Sequence, residues 1–189
     1  MPQGVEVQIL SRVLANLFML YTRKGDTGTT KTFGCDQRIS KSSAIAEALG
    51  SLDEINSFLG ILKVKSDLSS GKIIHNVQQK LFIIQAEVAG AKKTIEKKHI
   101  KEIEKIIDSA EKELPPIKTF FISGGTELAA TFDVARTIAR RAERRVIGSD
   151  AKVGEHTLAY LNRLSSLLYA MARLTNHKYG ITEESPAYK

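Results

Sequence analysis

Five segments of the chain carry apolar residues at alternating spacings of three and four, which places them along one face of an α-helix. This pattern constrains the fold most strongly, because each apolar face must be buried against another element. The five stripes are Ala48, Leu52, Ile55, Leu59 and Leu62; Ile74, Val77, Leu81, Ile84 and Val88; Ile100, Ile103, Ile107, Ala110 and Leu114; Leu128, Phe132, Ala135, Ala139, Ala142 and Val146; and Leu161, Leu164, Leu168 and Met171. The sequence therefore predicts five amphipathic helices.

The connections between these segments are short or marked by glycine and proline. They are predicted at Ser66 to Gly71, Pro115-Pro116, Gly124-Gly125 and Gly148 to Gly154. Short links favour antiparallel neighbours, and 189 residues suffice for one domain with a core that needs no disulfide. We expect an all-α, five-helix up-and-down bundle, with the densely charged third helix on its outside.

Both ends of the chain are predicted to lie outside this bundle. The apolar run from Val13 to Leu20 is too short to span a bilayer, is interrupted by Asn16 and has no cleavage site of a secretory signal after it. We therefore expect residues 1–18 to be an N-terminal extension, at most an added helix without phosphate-binding chemistry. The bundle domain is predicted to cover residues 19–179, followed by a loosely held tail over 180–189.

The segment of residues 21–30 has a composition suited to binding phosphate. It reads YTRKGDTGTT and combines two glycines, two cations and four threonines without apolar periodicity. Glycine lets backbone amides turn toward a ligand, threonine donates to anionic oxygens, and Arg23 and Lys24 supply counter-charge. The pattern is not that of a Walker A loop. The alternative interpretation is a surface turn rich in glycine and threonine.

The fourth predicted helix carries an unusual density of arginine. Arg136, Arg140 and Arg144 follow at four-residue spacing, and Arg141 and Arg145 form a second row beside them. Like charges stacked in this way repel by a few tenths of a kcal/mol per pair. An anion is therefore expected to offset them.

Part of this charge can be compensated within the helix. Glu143 is in reach of Arg140, and Asp133 is in reach of Arg136, because each pair is three residues apart. The remaining arginines could be solvated or paired with acids of neighbouring helices. Equally, a triphosphate would satisfy them through bidentate contacts.

The first and fifth helices add polar groups near their apolar stripes. Asn162, Ser166, Tyr169 and Arg173 share a face of the fifth helix that is expected to point away from the core. Beside the arginine helix, that face could form one wall of a site. Asp53 follows the core position Leu52, so we expect it to be partly buried with a cationic partner.

Composition narrows the chemistry of such a site. The net charge of +7 favours polyanionic partners, either nucleic acid or a phosphorylated small molecule. The four histidines have no metal-ligand spacing, and Cys35 is the only cysteine, which suits a reducing cytoplasm. The reaction should therefore depend on positioning and charge neutralisation more than on acid–base groups.

Five motifs, taken together and in order, resemble the PduO-type ATP:corrinoid adenosyltransferases. They are residues 21–30, Leu52-Asp53-Glu54-Ile55-Asn56, Gly124-Gly125-Thr126, Arg136 through Arg145, and Tyr160-Leu161-Asn162-Arg163-Leu164-Ser165. The resemblance runs from Tyr21 to about Arg173. It implies the helical bundle of that ferritin-like class, assembled as a homotrimer with sites between subunits. It also implies transfer of the 5′-deoxyadenosyl group of ATP to cob(I)alamin, with release of triphosphate.

The resemblance also implies roles for individual residues. Three are implied next to the corrin: Asp53 and Arg136 as an ion pair across the subunit boundary, and Phe120 on the lower face of cobalt. The implied ATP contacts are Tyr21, Thr22, Arg23, Lys24, Gly25, Asp26, Gly28, Thr30, Arg140, Glu143 and Asn162, with Glu143 also in the environment of Mg²⁺. The chain departs from the family pattern at Ser123, where proline is common. Whether Phe120 or Phe121 faces cobalt is open.

Two rival functions use the same residues. A helical nucleic-acid binder would employ the arginines, but the sequence has no recognition-helix motif and no aromatic residues interleaved with them. A nucleotide sensor would keep the phosphate segment and dispense with Phe120. We therefore expect a cytoplasmic enzyme whose partners are ATP, reduced cobalamin, further copies of itself and an electron-donating reductase, with neither nucleic acid nor a membrane.

Overall fold

The computed structural model describes residues 21–32 and 37–187 of the chain. In this part it contains five α-helices and one two-stranded antiparallel ribbon. The elements are β1 (Thr29–Thr30), β2 (Ile39–Ser40), α1 (Ala44–Lys65), α2 (Leu68–Val88), α3 (Lys97–Glu113), α4 (Glu127–Ile147) and α5 (Glu155–Lys178). The predicted all-α five-helix bundle is confirmed.

Side-chain caps define where three of the helices begin. Ser43 Oγ accepts from the Ala46 amide at the start of α1, and Thr126 Oγ1 accepts from the Ala129 amide at 3.1 Å at the start of α4. Asp67 Oδ1 accepts from the Ser70 amide at 2.7 Å and begins α2. The predicted link from Ser66 to Gly71 was therefore too long, because the Asp67 cap draws the following residues into the helix.

Helix α4 lies at the middle of the packing order. It contacts both α1 and α5, while α2 packs on α1 and α3 packs on α5. Ion pairs between Glu54 and Arg141 and between Lys65 and Glu127 join α1 to α4 in antiparallel order. The amino end of α1 therefore lies at the same end of the bundle as the carboxyl end of α4.

The core consists of the apolar stripes that the spacing predicted. Leu52, Leu81, Phe132 and Leu164 have at most 1% of their surface exposed. In α3 only Ile103 and Ala110 of the predicted stripe are buried, in keeping with a helix that contacts α5 on one side. Burial of this contiguous stripe surface stabilises the bundle by about 25 cal/mol per Å² of apolar area.

The tail is held more firmly than the sequence suggested. The Ile122 amide donates to the Glu184 carbonyl at 2.8 Å, and Asn176 Nδ2 donates to Glu183 Oε1 at 2.7 Å. The expectation of a loosely held tail was wrong for the residues that make these contacts, Glu183 and Glu184. Tail composition does not reveal such contacts, because their partners lie in α5 and in the segment before α4.

Two predictions fall on other parts of the chain. The N-terminal extension, with its apolar run, and Cys35 lie outside the described residues. Among the helices that are described, none combines the length and the apolar character needed to cross a bilayer.

His99, in the first turn of α3, gives the fold a pH dependence. The side chain is buried, and its Nδ1 accepts from the Glu96 amide at 3.2 Å. Burial, assisted by Lys80, lowers the pKa of the imidazole below its ordinary 6.5. Folding thus favours the neutral ring. The contribution of neutral His99 to the free energy of unfolding is present above pH 6.5 and is lost as pH falls toward the pKa of the folded state.

We expect the free energy of unfolding to fall between pH 7.5 and pH 5, partly through His99. His99→Gln keeps an acceptor but does not titrate, so the variant should show a shallower decrease in urea unfolding. An equal pH dependence of variant and parent would contradict a contribution from His99.

Candidate active site

One part of the candidate site is a cleft of about 820 Å³ between three helices and one connecting segment. Its walls come from α3, from the middle of α4 and α5, and from the segment of residues 114–123. The cleft-lining residues include Ile107, Leu114, Phe120, Phe121, Asp133, Arg136, Arg140, Ser165, Ser166 and Tyr169. The cleft thus combines an apolar wall with two arginines, and three predicted site residues, Phe120, Arg136 and Arg140, meet there.

The two neighbouring phenylalanines differ in how they are held. Phe120 is 77% exposed, whereas Phe121 is half-buried and has the Arg173 guanidinium 5.8 Å from its ring centroid. A fixed Phe121 leaves the side chain of Phe120 free to meet a ligand. Phe120 is therefore the better candidate for an apolar contact with a bound molecule.

Arg136 is oriented by the acid three residues before it, as the sequence predicted. Its Nε lies 3.2 Å from Asp133 Oδ1, and the other oxygen of Asp133 lies 2.6 Å from Arg173 Nη2. Arg173 has only 1% of its surface exposed. The expectation that its face points away from the core was wrong for this residue, because Asp133 compensates the charge inside the bundle.

Arg140, like Lys118, is a cation of the cleft that remains available. It is exposed and forms no ion pair within the described part of the chain. Its predicted partner Glu143 instead accepts from Asn162 Nδ2 at 3.1 Å. The Glu143–Arg140 pair that the three-residue spacing allows is therefore not formed in the described part of the single chain, where Glu143 bonds to Asn162.

Two further arginines beside the site are paired with acids of other helices. Arg141 pairs with Glu54 of α1, and Arg163 Nε lies 2.9 Å from Glu104 of α3. Both pairs are partly exposed, so each contributes about 1 kcal/mol or less to stability. The charges of these two arginines are therefore compensated by acids of neighbouring helices.

The phosphate segment forms one arm of the short β-ribbon. Thr29 and Thr30 of β1 pair with Ser40 and Ile39 of β2. The turn before β1 is closed by a hydrogen bond from the Gly28 amide to the Gly25 carbonyl at 3.1 Å, and the Lys41 amide donates to the Gly28 carbonyl at 2.9 Å across the ribbon. Gly28 has φ of 75°, a conformation that other residues rarely adopt.

Arg38 fixes this ribbon and was missed by the sequence analysis. Its Nε donates to Thr29 Oγ1 at 2.7 Å, and its Nη2 donates to the Thr29 carbonyl at 2.7 Å and to the Lys24 carbonyl. One guanidinium thus binds two points of the predicted phosphate segment, Lys24 and Thr29. Each strand has only two residues, so the alternation of polar and apolar residues is too short to identify the strands from sequence. The sequence therefore does not show that Arg38 lies beside the phosphate segment.

Two exposed cations, Arg23 and Lys41, lie against Tyr21 and Gly25 of the predicted phosphate segment. Arg23 adopts a positive φ of 58° and stacks on Tyr21 with 5.4 Å from its Cζ to the ring centroid. Lys41, also missed by the sequence analysis, packs against Gly25, where an added Cβ would lie 2.9 Å from its Nζ. Positive charge is therefore concentrated on the segment where phosphate was predicted.

The predicted partners Asp53 and Arg136 do not meet within one chain. Asp53 is exposed and forms no ion pair in the part of the chain that the structure describes. The expectation that it is partly buried was wrong for the single chain, because α1 turns that position away from α4 while its neighbour Glu54 reaches Arg141.

The two parts of the candidate site are the cleft and the cationic ribbon, and α4 runs from the first toward the end of the bundle that holds the second. Arg136, Arg140 and Glu143 follow one another along α4 toward its carboxyl end. The amino end of α1, and the ribbon that precedes it, lie at that same end of the bundle. None of the described residues of the ribbon lines the cleft, so one chain holds an arginine-lined cleft and a separate cationic ribbon.

A metal ion at this site would depend on few protein ligands. Among residues 21–32 and 37–187, no group of three or more His, Cys, Asp or Glu side chains could hold a metal ion. Glu143 Oε1 is oriented by Asn162, and its carboxylate is half-buried. This fits Mg²⁺ that takes its other oxygen ligands from phosphates and water.

Comparison with known families identifies a match over most of the chain. The sequence model of the cobalamin adenosyltransferase family matches residues 20–175. A corrinoid adenosyltransferase PduO from Citrobacter freundii is 37% identical over 168 residues, which is 84% of this chain and 50% of that protein. The chain spans about half the length of the PduO relatives from Citrobacter and Salmonella that it matches.

A shorter relative and a solved structure are matched over nearly their whole length. The corrinoid adenosyltransferase of Bacillus subtilis is 37% identical over 175 residues, or 86% of this chain and 89% of the relative. A variant of the PduO-type ATP:corrinoid adenosyltransferase from Lactobacillus reuteri, complexed with cobalamin and ATP, superimposes with a TM-score of 0.84 and 29% identity. The superposition covers 89% of this chain and 96% of that structure.

Proposed function

Because the chain belongs to the cobalamin adenosyltransferase family, we propose that it transfers the 5′-deoxyadenosyl group of ATP to cob(I)alamin and releases triphosphate. The observation that carries this proposal is the cleft in which exposed Phe120 lies beside Arg136 and the unpaired Arg140. An apolar surface and a free cation in one cleft suit a flat macrocycle next to a polyphosphate.

The proposed ATP site uses the cationic ribbon and the carboxyl half of α4. The residues proposed to bind ATP are Tyr21, Thr22, Arg23, Lys24, Gly25, Asp26, Gly28, Thr30, Arg140, Glu143 and Asn162. The charge on Arg23, Lys24 and Arg140 neutralises the phosphates. Glu143, whose carboxylate is oriented by Asn162, would hold a magnesium ion, and that ion would neutralise phosphate charge.

The proposed reaction is an in-line displacement that needs no protein base. Cobalt of cob(I)alamin supplies the electron pair that forms the cobalt–carbon bond, and the C5′–O bond breaks with its electron pair remaining on triphosphate. The protein aligns the two substrates and stabilises the negative leaving group with fixed cations. Phe120 excludes water and the axial base from the lower face of cobalt, which eases the preceding reduction of Co(II).

We propose a homotrimer with each site completed between subunits. Support comes from the separation of the ribbon and Asp53 from the cleft in one chain, since a neighbouring subunit can bring them together. In that arrangement Asp53 of one subunit pairs with Arg136 of the next. The exposure of Asp53 in the single chain leaves its carboxylate available for such a pair.

The proposed partner for electron delivery is a separate reductase in the cytoplasm. Formation of cob(I)alamin requires one electron at low potential, which amino-acid side chains do not supply. A cytoplasmic location fits a sequence with a single cysteine.

The proposed activity can be tested with chemically reduced cobalamin under anaerobic conditions. Addition of protein and ATP should convert the cob(I)alamin spectrum to that of adenosylcobalamin, and omission of ATP should prevent the change. A folded protein that leaves the spectrum unchanged at millimolar ATP would contradict the proposal.

We expect Arg38→Ala to weaken ATP binding about tenfold. The substitution removes three hydrogen bonds that shape the ribbon, and a loss of about 1.4 kcal/mol corresponds to one order of magnitude in Kd. Calorimetric titration with ATP would measure the change. Arg38→Lys preserves the charge without the planar fork, so restored binding in that variant, or unchanged binding in Arg38→Ala, would contradict a role in shaping the loop.

A further inference from the structure

One charged side chain of the bundle interior is not accounted for by the proposed chemistry. Arg173 of α5 has 1% of its surface exposed, although a buried guanidinium is costly without compensation. Its Nη2 donates to Asp133 Oδ2 at 2.6 Å. Its Nε lies at an ion-pair distance of 3.0 Å from Glu183 Oε1, although the N–H is not directed along that line.

Each carboxylate partner of Arg173 also accepts from a second polar side chain. Asp133 orients Arg136 through its second oxygen. Glu183 accepts from Asn176 Nδ2 at 2.7 Å. Buried Arg173 therefore connects two separate acids, one from α4 and one from the tail.

Asn176 extends the connection to the segment that carries the phenylalanines. It donates to the Gly124 carbonyl at 2.9 Å and accepts from the Thr126 amide at 3.0 Å. Gly125 has φ of 90°, and a Cβ at that position would collide with the Asn176 side chain. The backbone at Gly124 to Thr126, a few residues after Phe121, thus packs closely against Asn176.

Aromatic contacts complete this arrangement. The Arg173 guanidinium lies 4.9 Å from the Tyr169 ring centroid and 5.8 Å from that of Phe121. A planar guanidinium can stack on rings while its edge binds carboxylates, and an ammonium cannot do both. Arg173 therefore contacts Phe121 directly and reaches Arg136 through Asp133.

We propose that Arg173 and Glu183 are positioning residues that hold Arg136 and the Phe120-bearing segment in the working geometry of the cleft. This proposal rests on the proposed function, because it assigns these residues an effect on adenosyl transfer. The acid of the tail completes the charge balance of the cluster, with Asp133 and Glu183 opposite Arg136 and Arg173. Loss of the Glu183 charge should loosen the segment of residues 117–126 without removing any group that touches substrate.

The matched variants are Glu183→Gln and Glu184→Gln. The first keeps an acceptor for Asn176 but removes the charge that faces Arg173. The second alters an exposed neighbour whose backbone carbonyl, the group that binds the Ile122 amide, is unaffected. Arg173→Lys keeps the positive charge but removes the planar guanidinium, so it tests whether charge alone is sufficient at this position.

Three measurements distinguish positioning from a contribution to stability alone. We expect Glu183→Gln to lower kcat about tenfold or more, since small misplacements of reacting groups carry penalties of that size, while Kd for ATP stays within twofold. The four-coordinate cob(II)alamin signal in the presence of ATP should fall as well. Glu184→Gln should match the parent in all three measurements. Arg173→Lys keeps the charge but not the planar guanidinium, so its kcat should be lower than that of the parent.

Hydrogen exchange of residues 117–126 provides a readout that is independent of corrinoid chemistry. Exchange there should be faster in Glu183→Gln than in Glu184→Gln. If the parent forms no adenosylcobalamin but this difference is present, the proposed function fails and the structural connection stands. An active parent with an unchanged kcat in Glu183→Gln, even with a lower Tm, would overturn the positioning role.

Discussion

Replacement of Arg136 by alanine is expected to lower kcat for adenosyl transfer about 100-fold while the chain remains folded. The loss of one partner from a partly buried ion pair leaves a lone charge at a cost of about 3 kcal/mol, which corresponds to roughly two orders of magnitude in rate. The fold should persist because Asp133 retains its 2.6 Å contact with Arg173. Steady-state adenosylation and thermal unfolding together measure both effects.

The same chain offers a matched control for this substitution. Arg141 lies on the same helix, but it pairs with Glu54 and lies outside the cleft lining. Arg141→Ala should therefore leave adenosylation nearly unchanged. Asp53→Ala should reproduce the loss seen for Arg136→Ala if the two residues pair across subunits. Full activity in both Asp53→Ala and Arg136→Ala would disprove that pairing.

The second large effect is expected for Phe120→Ala. If about half of a phenylalanine surface of ~200 Å² is buried against the corrin, its loss costs about 2.5 kcal/mol, or roughly 60-fold in rate. The loss should fall on the step from Co(II) to Co(I), because water or the axial base can then return to cobalt. Affinity for ATP should change less than twofold.

Electron paramagnetic resonance of the ATP-bound Co(II) complex distinguishes the two phenylalanines. Phe120→Ala should abolish the four-coordinate signal, and Phe121→Ala should reduce it less, because Phe121 is half-buried under Arg173. An undiminished signal in Phe120→Ala together with a lost signal in Phe121→Ala would transfer the role to Phe121.

The helices were predictable because their information is local. Stripes such as Leu52, Ile55 and Leu59 recur at helical spacing, and that spacing alone identifies the buried face. The boundary between α1 and α2 was less accurate, because one capping side chain, that of Asp67, moved it by several residues. Composition also drew attention to residues 21–30, which the structure presents as an exposed cationic segment, and phosphate binding there stays a prediction.

The interior polar contacts were not predictable, because their partners are far apart in sequence. Arg173 and Asp133 are separated by 40 residues, and the sequence around Arg173 does not indicate that it has an acidic partner inside the bundle. Helical spacing alone assigns such a residue to solvent. Arg38 escaped notice for a similar reason, since its contacts with Thr29 and Lys24 depend on how the ribbon folds back.

Burial of Asp53 could not be judged from its neighbour Leu52 alone. Adjacent residues of a helix point about 100° apart, so a core position says little about the next residue. Its environment also depends on whether another subunit covers it, which no single chain reveals. The intersubunit pair with Arg136 therefore stays a prediction.

The most direct measurement of the central claim is the stoichiometry of the two products. Protein, ATP and cob(I)alamin are incubated without oxygen, and adenosylcobalamin and inorganic triphosphate are quantified in the same sample. Displacement at the 5′-carbon predicts one triphosphate for each adenosylcobalamin, with both absent in a sample without protein. Consumption of ATP to ADP and phosphate without a cobalt–carbon product would contradict the claim.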